Sequence, residues 1–419
     1  MQLRSSPSWQ FIISCSLGTF LEFFDYTLYA YFAVTLSQQF FPNHSTQTQW
    51  IATWSVFAIG CLVRPLGAMV FGHIADRIGR KKVLPYTILL MALPTVAMGL
   101  LPTYQTWGWL APTLLLLCRI IQGLSISAEY NGFSVYCVEN NWKNPGLLAA
   151  LTPASCGLGM LCASLLALCS SQNWRLPFII AGLTVGVVGW IMRRNLPETI
   201  EFQDLLVNDN TQRFPLKTIL QQQKFSVMVN IVCSAYMGSA SYLLLVYMPS
   251  YLQKEFAMNP SHSLQFTILL TCLEAMACVY FGWLSDRFGQ WKTMSIACVG
   301  TLIVSMLLFG ISTTFTAFLL AIILLTILLG AFDGPLTSYL PGLVPTSLRY
   351  SATALGYNIG GAALGGLGPV VVTLLIGLTQ SPKFVLIAYL SVWALLAIIC
   401  ILVHRKTGVE ECQTLIFPA

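Results

Sequence analysis

Charge is what this sequence has least of. Its 419 residues include 21 Lys and Arg and 15 Asp and Glu, only 9% charged, against 56% hydrophobic. A soluble domain needs roughly 25% charged residues to coat its surface. A water-soluble enzyme, a disordered tail protein and a nucleic-acid binder are therefore excluded. The net charge of +6 does not bring the last back, because the basic residues sit between long apolar runs and not in a patch that could follow phosphates. Histidine is scarce too, with 4 in all and none in a His-Glu-x-x-His pattern. No nucleophile elbow and no Walker-type Gly-x-x-x-x-Gly-Lys-Ser/Thr occurs, so neither enzyme chemistry nor a cofactor or metal is expected. The 13 Cys contain no Cys-x-x-Cys pair, and all but Cys412 lie in apolar stretches, where they read as small hydrophobes. A cleavable signal is not expected either: the first apolar segment runs on through Glu22 and Asp25 to about Leu36, too long for a signal h-region.

What is present is apolar sequence in membrane-sized lengths. A bilayer core needs about 20 helical residues, and hydropathy with turn punctuation predicts twelve spans. They cover 10–36, 48–75, 82–101, 108–138, 146–170, 174–194, 224–252, 262–285, 291–311, 314–342, 349–378 and 382–404. The polar interruption at 195–223 is expected to be a central loop between two six-helix bundles, 1–194 and 224–404, with a short tail at 405–419. Counting Lys and Arg by loop, sixteen fall on the side of the termini and the even-numbered loops. Three, Arg175, Lys254 and Lys383, fall on the other, and Arg64 and Arg119 lie within spans. Basic residues collect on the cytoplasmic side, so both termini are expected to be cytoplasmic, in an inner membrane if the source is bacterial.

An internal repeat supports two halves. Gly72, Asp76, Arg77, Gly79, Arg80 and Lys81 follow the second span; Gly282, Asp286, Arg287 and Gly289 follow the eighth, 210 residues on. One copy is a tight charged turn; two copies at matching places are a duplication. Further along stand Gly18…Glu22-Phe-Phe-Asp25…Tyr29, Arg64-Pro65, Arg119-Ile-Ile-Gln122-Gly123…Glu129, Trp174-Arg175-Leu-Pro177, Leu196-Pro197-Glu198-Thr199 and Arg349…Gly356-Tyr357-Asn358. The duplicated loop resembles the signature of the major facilitator superfamily. The whole set is similar to its metabolite:proton symporter family, whose members carry proline and betaine, α-ketoglutarate, citrate, shikimate and dicarboxylates. The resemblance covers nearly the whole chain. It departs at Phe23, where the family usually has Trp, and at Ser127-Ala128, where it has Gly-Gly, so no single member's substrate carries over.

Charges inside a bilayer are costly and persist where they pair or face water. The embedded set is Glu22, Asp25, Arg64, Arg119, Glu129, Glu274 and Asp333. Glu22, Asp25 and Tyr29 form one stripe of the first helix; Gln122, Glu129 and Tyr136 form one on the fourth, with Arg119 on the same side. The resemblance implies that the first, fourth, seventh and tenth helices line a central cavity and that the two stripes face each other. Asp25, Glu129 and Glu22 are then candidate proton carriers, and Arg119 and Gln122 candidate substrate contacts. Tyr29, Tyr236, Tyr357, Asn358 and Asp333 are further contacts, with Tyr242 and Tyr247 as weaker ones. The other reading of these charges is an ion network that only fixes helix packing. Glu274 is left open, because the eighth helix commonly packs outside the cavity in such folds. Asp333-Gly334-Pro335 predicts a break in the tenth helix, at a hinge or a capped kink. Gly72, Asp76, Arg77, Gly79, Arg80, Asp286 and Arg287 are expected to gate the cytoplasmic side, Asp76 against the start of the eleventh helix.

These residues imply a proton-coupled importer of a small carboxylate or zwitterion, working by alternating access and as a monomer. The rival is a proton-coupled exporter. Antiporters of this superfamily show a Gly-Pro-centred fifth helix, and here that helix reads Pro153…Gly157-Leu-Gly159 without the dyad.

Overall fold

The computed structural model describes residues 9–78, 80–126, 135, 138, 144–170, 173–194, 223–311, 314–345 and 348–406. Within these the chain is helical, without a strand. The expected spans all meet helices. In the first half they are α1 (Trp9–Tyr31, continued by Ala33–Phe40), α2 (Thr46–Leu62, continued by Arg64–Ile78), α3 (Arg80–Leu100), α4 (Leu110–Ile126), α5 (Pro145–Ala149 and Leu151–Cys169) and α6 (Arg175–Arg194). In the second half they are α7 (Lys224–Ser241, Tyr242–Tyr247 and Met248–Glu255), α8 (Pro260–Phe288), α9 (Gln290–Ile311), α10 (Phe315–Gly342), α11 (Arg349–Tyr357, Asn358–Leu364 and Gly368–Thr379) and α12 (Pro382–Lys406). A single turn, Tyr104–Trp107, joins α3 to α4. Residues 195–222 and the tail beyond 406 lie outside the described residues.

An all-helical chain suits a lipid solvent, because each helix satisfies its own backbone groups. The outer surface agrees: Leu378, Met306 and Ile296 are 81%, 73% and 71% exposed, which water would penalise and hydrocarbon does not. Inside, small residues let helices touch backbone to backbone. A Cβ on Gly123 of α4 would lie 1.9 Å from the carbonyl oxygen of Gly60 on α2, and one on Gly360 of α11 would lie 2.1 Å from that of Ile231 on α7.

Two irregularities were not expected, and one expectation fails. The middle turns of α7 and α11, Tyr242–Tyr247 and Asn358–Leu364, are wound as π-helix. α10 continues unbroken through Asp333, Gly334 and Pro335 to Gly342. The hydroxyls of Thr337 and Ser338 donate to the carbonyls of Gly334 (2.8 Å) and Pro335 (3.0 Å), one turn back in the same helix. Membrane helices tolerate proline where neighbouring helices and small local adjustments accommodate the lost backbone bond. Gly334 is there for contact, since a Cβ would come 2.2 Å from the Cys278 carbonyl oxygen on α8.

Candidate functional site

The first half buries a polar network. Arg119, Gln122 and Asp25 are each 0% exposed. Gln122 joins the other two: its Oε1 accepts from Arg119 Nη1 at 2.9 Å, and its Nε2 donates to Asp25 Oδ2 at 3.1 Å and to Thr95 Oγ1 at 2.5 Å. The Arg119 guanidinium also lies over aromatic rings, 4.3 Å from the centroid of Tyr26 and 4.4 Å from that of Tyr29. Tyr26 is shared, because Arg64 sits 4.3 Å from the same ring. Tyr29 is fixed by donating to the Thr53 carbonyl at 2.8 Å. A delocalised cation can use donors and rings together, which an ammonium cannot. Asp25 Oδ1 and two guanidinium nitrogens of Arg119, Nε and Nη2, have no hydrogen-bond partner among the described residues. Asp25 and Tyr29 of the first-helix stripe thus meet Arg119 and Gln122 of the fourth, inside the first half, while Glu129 and Tyr136 lie outside the described residues.

The cavity between the halves is lined by other residues. Its walls come from Phe23 of α1, Cys156 and Met160 of α5, Tyr242 of α7, Glu274 of α8, Asp333 of α10 and Tyr357 of α11. Of the candidate contacts, Asp333 and Tyr357 stand on this wall. Arg119, Gln122 and Tyr29 are not part of it, and none of the described residues of the fourth span lines it. Tyr236 is turned into the second half, bonded to Thr301 Oγ1 at 2.7 Å with its ring against Phe332. Asn358 donates to the Ala354 carbonyl one turn back. Tyr247 bonds Thr373. Glu129 lies outside the described residues, as does Gly79, and no side chain is described for Asp76, Arg77 or Arg80.

Sequence reasoning left Glu274 open, yet it is on the cavity wall. Its partner Cys278, one turn along, donates to Oε1 at 3.0 Å. A carboxylate in an otherwise apolar helix was the signal that could have found it. Helix-face reasoning says which residues share a side and not which neighbour that side meets.

The two ends of the cavity are closed by cross-half contacts. At one end Asp286 of α8 accepts from the backbone N–H groups of Gly146 (2.7 Å) and Leu147 (3.0 Å), at the start of α5. This is the second copy of the duplicated loop acting as a cap on the opposite half. Gly146 leaves room for it, since a Cβ there would lie 2.6 Å from the carboxylate. Arg287 rests on the Trp283 ring at 4.1 Å. At the other end Gln47 of α2 donates to the Thr373 carbonyl at 3.0 Å and accepts from Lys254 at 2.9 Å, and Trp54 meets Tyr247 edge-on.

Two helical halves closing on a cavity from both ends form the frame of an alternating-access carrier. Residues 15–369 match the family model of the Major Facilitator Superfamily. The chain is 30% identical over 422 aligned residues to the proline/betaine transporter of Escherichia coli (strain K12), covering 95% of this chain and 83% of that one. It is 32% identical, with the same coverage, to the glycine betaine/proline/ectoine/pipecolic acid transporter of Dickeya dadantii (strain 3937). Among solved structures, a crystal structure of a D-xylose-proton symporter superposes with a TM-score of 0.74 over 96% of this chain and 98% of that one. At 15% identity that likeness speaks for the fold alone. The chain belongs to the major facilitator superfamily of multi-pass membrane transporters and is not an enzyme.

Proposed function

We propose that this transporter imports a small zwitterion of the proline or betaine kind together with a proton. It works as a monomer in a bacterial inner membrane, with both termini and the 195–223 loop cytoplasmic. The observation that carries the solute class is the match, over 95% of the chain, to relatives named for proline and betaine. The orientation rests on the sixteen-to-three division of basic loop residues.

Coupling is assigned to the network of the first half. Gln122 touches both Asp25 and Arg119, and Arg119 shares the Tyr26 ring with Arg64, so protonation of the carboxylate is felt at the ring on which both guanidinium groups rest. Proton and solute then communicate through one side chain. Glu22 and Glu129 are the other acids assigned to proton movement. Asp286 and the Gly72–Arg80 loop gate the cytoplasmic side.

The test is uptake into proteoliposomes of labelled proline, glycine betaine and organic acids, with and without an inside-alkaline pH gradient. Accumulation of a zwitterion that collapses with the gradient is the expected result. Gradient-driven movement in the opposite sense would make the chain an exporter and overturn the direction. Indifference to pH would overturn the coupling.

A further inference from the structure

The second half holds two buried carboxylates for which the described residues provide no paired positive charge. Glu274 and Asp333 are each 3% exposed, and their ligand atoms and the Cys278 sulfur lie within 4.8 Å of one another. Asp333 Oδ1 has no hydrogen-bond partner, and among the described residues no Lys, Arg or His pairs with either acid. The groups that interact with them are acid, thiol or phenol: Cys156 from α5, Cys278 from α8 and Tyr357 from α11, with Glu22 of α1 acting on Cys156 and Tyr357. The guanidinium of Arg64, on α2, acts on Glu22 and on Tyr242 and Tyr357 of the cavity wall.

Adjacent carboxylates in a low-dielectric site cannot both remain ionised without a counter-charge. The charge must therefore come from a visitor, either a proton or a cation. The surroundings separate these two. A proton needs neither space nor rings, yet this pair opens on the cavity between the halves, bounded by Phe23, Tyr242, Tyr357, Met160 and Met237. Aromatic rings and thioethers beside carboxylates are the surroundings that suit an alkylated ammonium. Gly157 widens the space at this point, since a Cβ there would lie 3.1 Å from Glu274 Oε2.

We propose that Glu274 and Asp333, with the rings of Tyr242, Tyr357 and Phe23, hold the cationic end of the transported zwitterion. Arg64, whose buried Nε and Nη2 have no hydrogen-bond partner, receives its carboxylate end. This rests on the reading of the solute as a zwitterion, and it moves solute recognition from the Arg119 network to the interface of the two halves.

The experiment is equilibrium binding of labelled glycine betaine to the purified full chain. The competitors are tetramethylammonium and 3,3-dimethylbutyrate, which has betaine's shape with carbon in place of the charged nitrogen. Tetramethylammonium should compete, and 3,3-dimethylbutyrate should be at least ~10-fold weaker than unlabelled betaine, a loss set by the missing charge. Glu274→Gln and Asp333→Asn should each weaken betaine by at least ~10-fold and leave 3,3-dimethylbutyrate unchanged. Equal competition by the two isosteres in the wild type, or mutants that bind betaine as the wild type does, would overturn the proposal. If such mutants also lose pH-driven accumulation, the pair carries a proton instead. Should the wild type bind neither betaine nor proline, the solute reading fails, and a thermal shift still interrogates the subsite. Tetramethylammonium chloride should raise the melting temperature of the wild type above that in sodium chloride of equal ionic strength, and Asp333→Asn should abolish the difference. No such rise, or an equal rise with sodium, would overturn it.

Discussion

Asp25 in the first half and Asp333 in the second are both buried carboxylates near the centre of the molecule, yet their company differs. Asp25 reaches a guanidinium through Gln122. Asp333 has a second acid and a thiol. One half has neutralised its charge with its own residues; the other is left in deficit beside a cavity. The backbone follows the same division, since the π-wound turns are both in the second half, in α7 and α11. Such turns collect at functional sites, because an extra residue in the helix re-aims the side chains around it. The comparison suggests a division of labour in which the first half keeps a standing network and the second changes with its load.

The strongest way to break this contrast is to create a deficit in the first half. Arg119→Leu leaves Asp25 buried without its cation, a change that costs about 3–5 kcal/mol when one partner of a buried pair is lost. Membrane abundance should fall severely and uptake should vanish. Adding Asp25→Asn removes the stranded charge, so abundance should recover while gradient-driven uptake stays absent. Quantitative immunoblotting and uptake on the same membranes read both outcomes. If Arg119→Leu alone leaves both near normal, the network is not what neutralises Asp25.

Next in size are the helix contacts on which each half is built. Gly123→Ala places a methyl group against the Gly60 carbonyl of α2, and Gly360→Ala places one against the Ile231 carbonyl of α7. Overpacking of this kind costs about 1–3 kcal/mol. Both variants should melt at lower temperature. Only Gly360→Ala, within the π-wound turn, should also slow solute exchange once activity is normalised to folded protein. Equal slowing in the two would remove the kinetic difference between the halves.

Much of this was legible beforehand, and the illegible part has a physical pattern. The twelve spans could be read because bilayer thickness fixes helix length, and the two halves because a loop recurs at a constant offset. The Asp25 and Arg119 stripes could be read from helical periodicity. That Gln122 joins them depends on how α1 and α4 are set against each other, which the resemblance implied and periodicity did not. Glu274 was left open for the same reason. The helix expected to break at Pro335 runs on to Gly342, with Gly334 set closely against the Cys278 carbonyl of α8. The π-wound turns arise from packing between helices, and no residue type announces them.

The smallest effects belong to the two closures, and they sharpen the comparison by asking whether its ends are balanced. Asp286 gives a full negative charge and two accepting oxygens to the start of α5. Asp286→Asn keeps the shape, loses the charge and retains one acceptor. Charge at a helix N-terminus is worth about 0.3–1 kcal/mol, up to ~2 where partly buried. Gln47 makes a neutral bond to the Thr373 carbonyl, worth about 0.5–1.5 kcal/mol net, and accepts a charge-assisted one from the Lys254 ammonium, worth about 1.5–3 kcal/mol before solvent weakens it. Asp286→Asn should therefore shift the population toward the state open at its end by about fivefold for each kcal/mol lost. Gln47→Ala should shift it the other way by a similar or smaller factor, since water replaces its bonds more readily at the surface. Spin-label distances across each end, measured in both variants, report the two shifts. Opposite shifts support closure by the Asp286 cap at one end and the Gln47 bonds at the other. If both variants open the same end, or neither changes any distance, these contacts accompany closure and do not hold it.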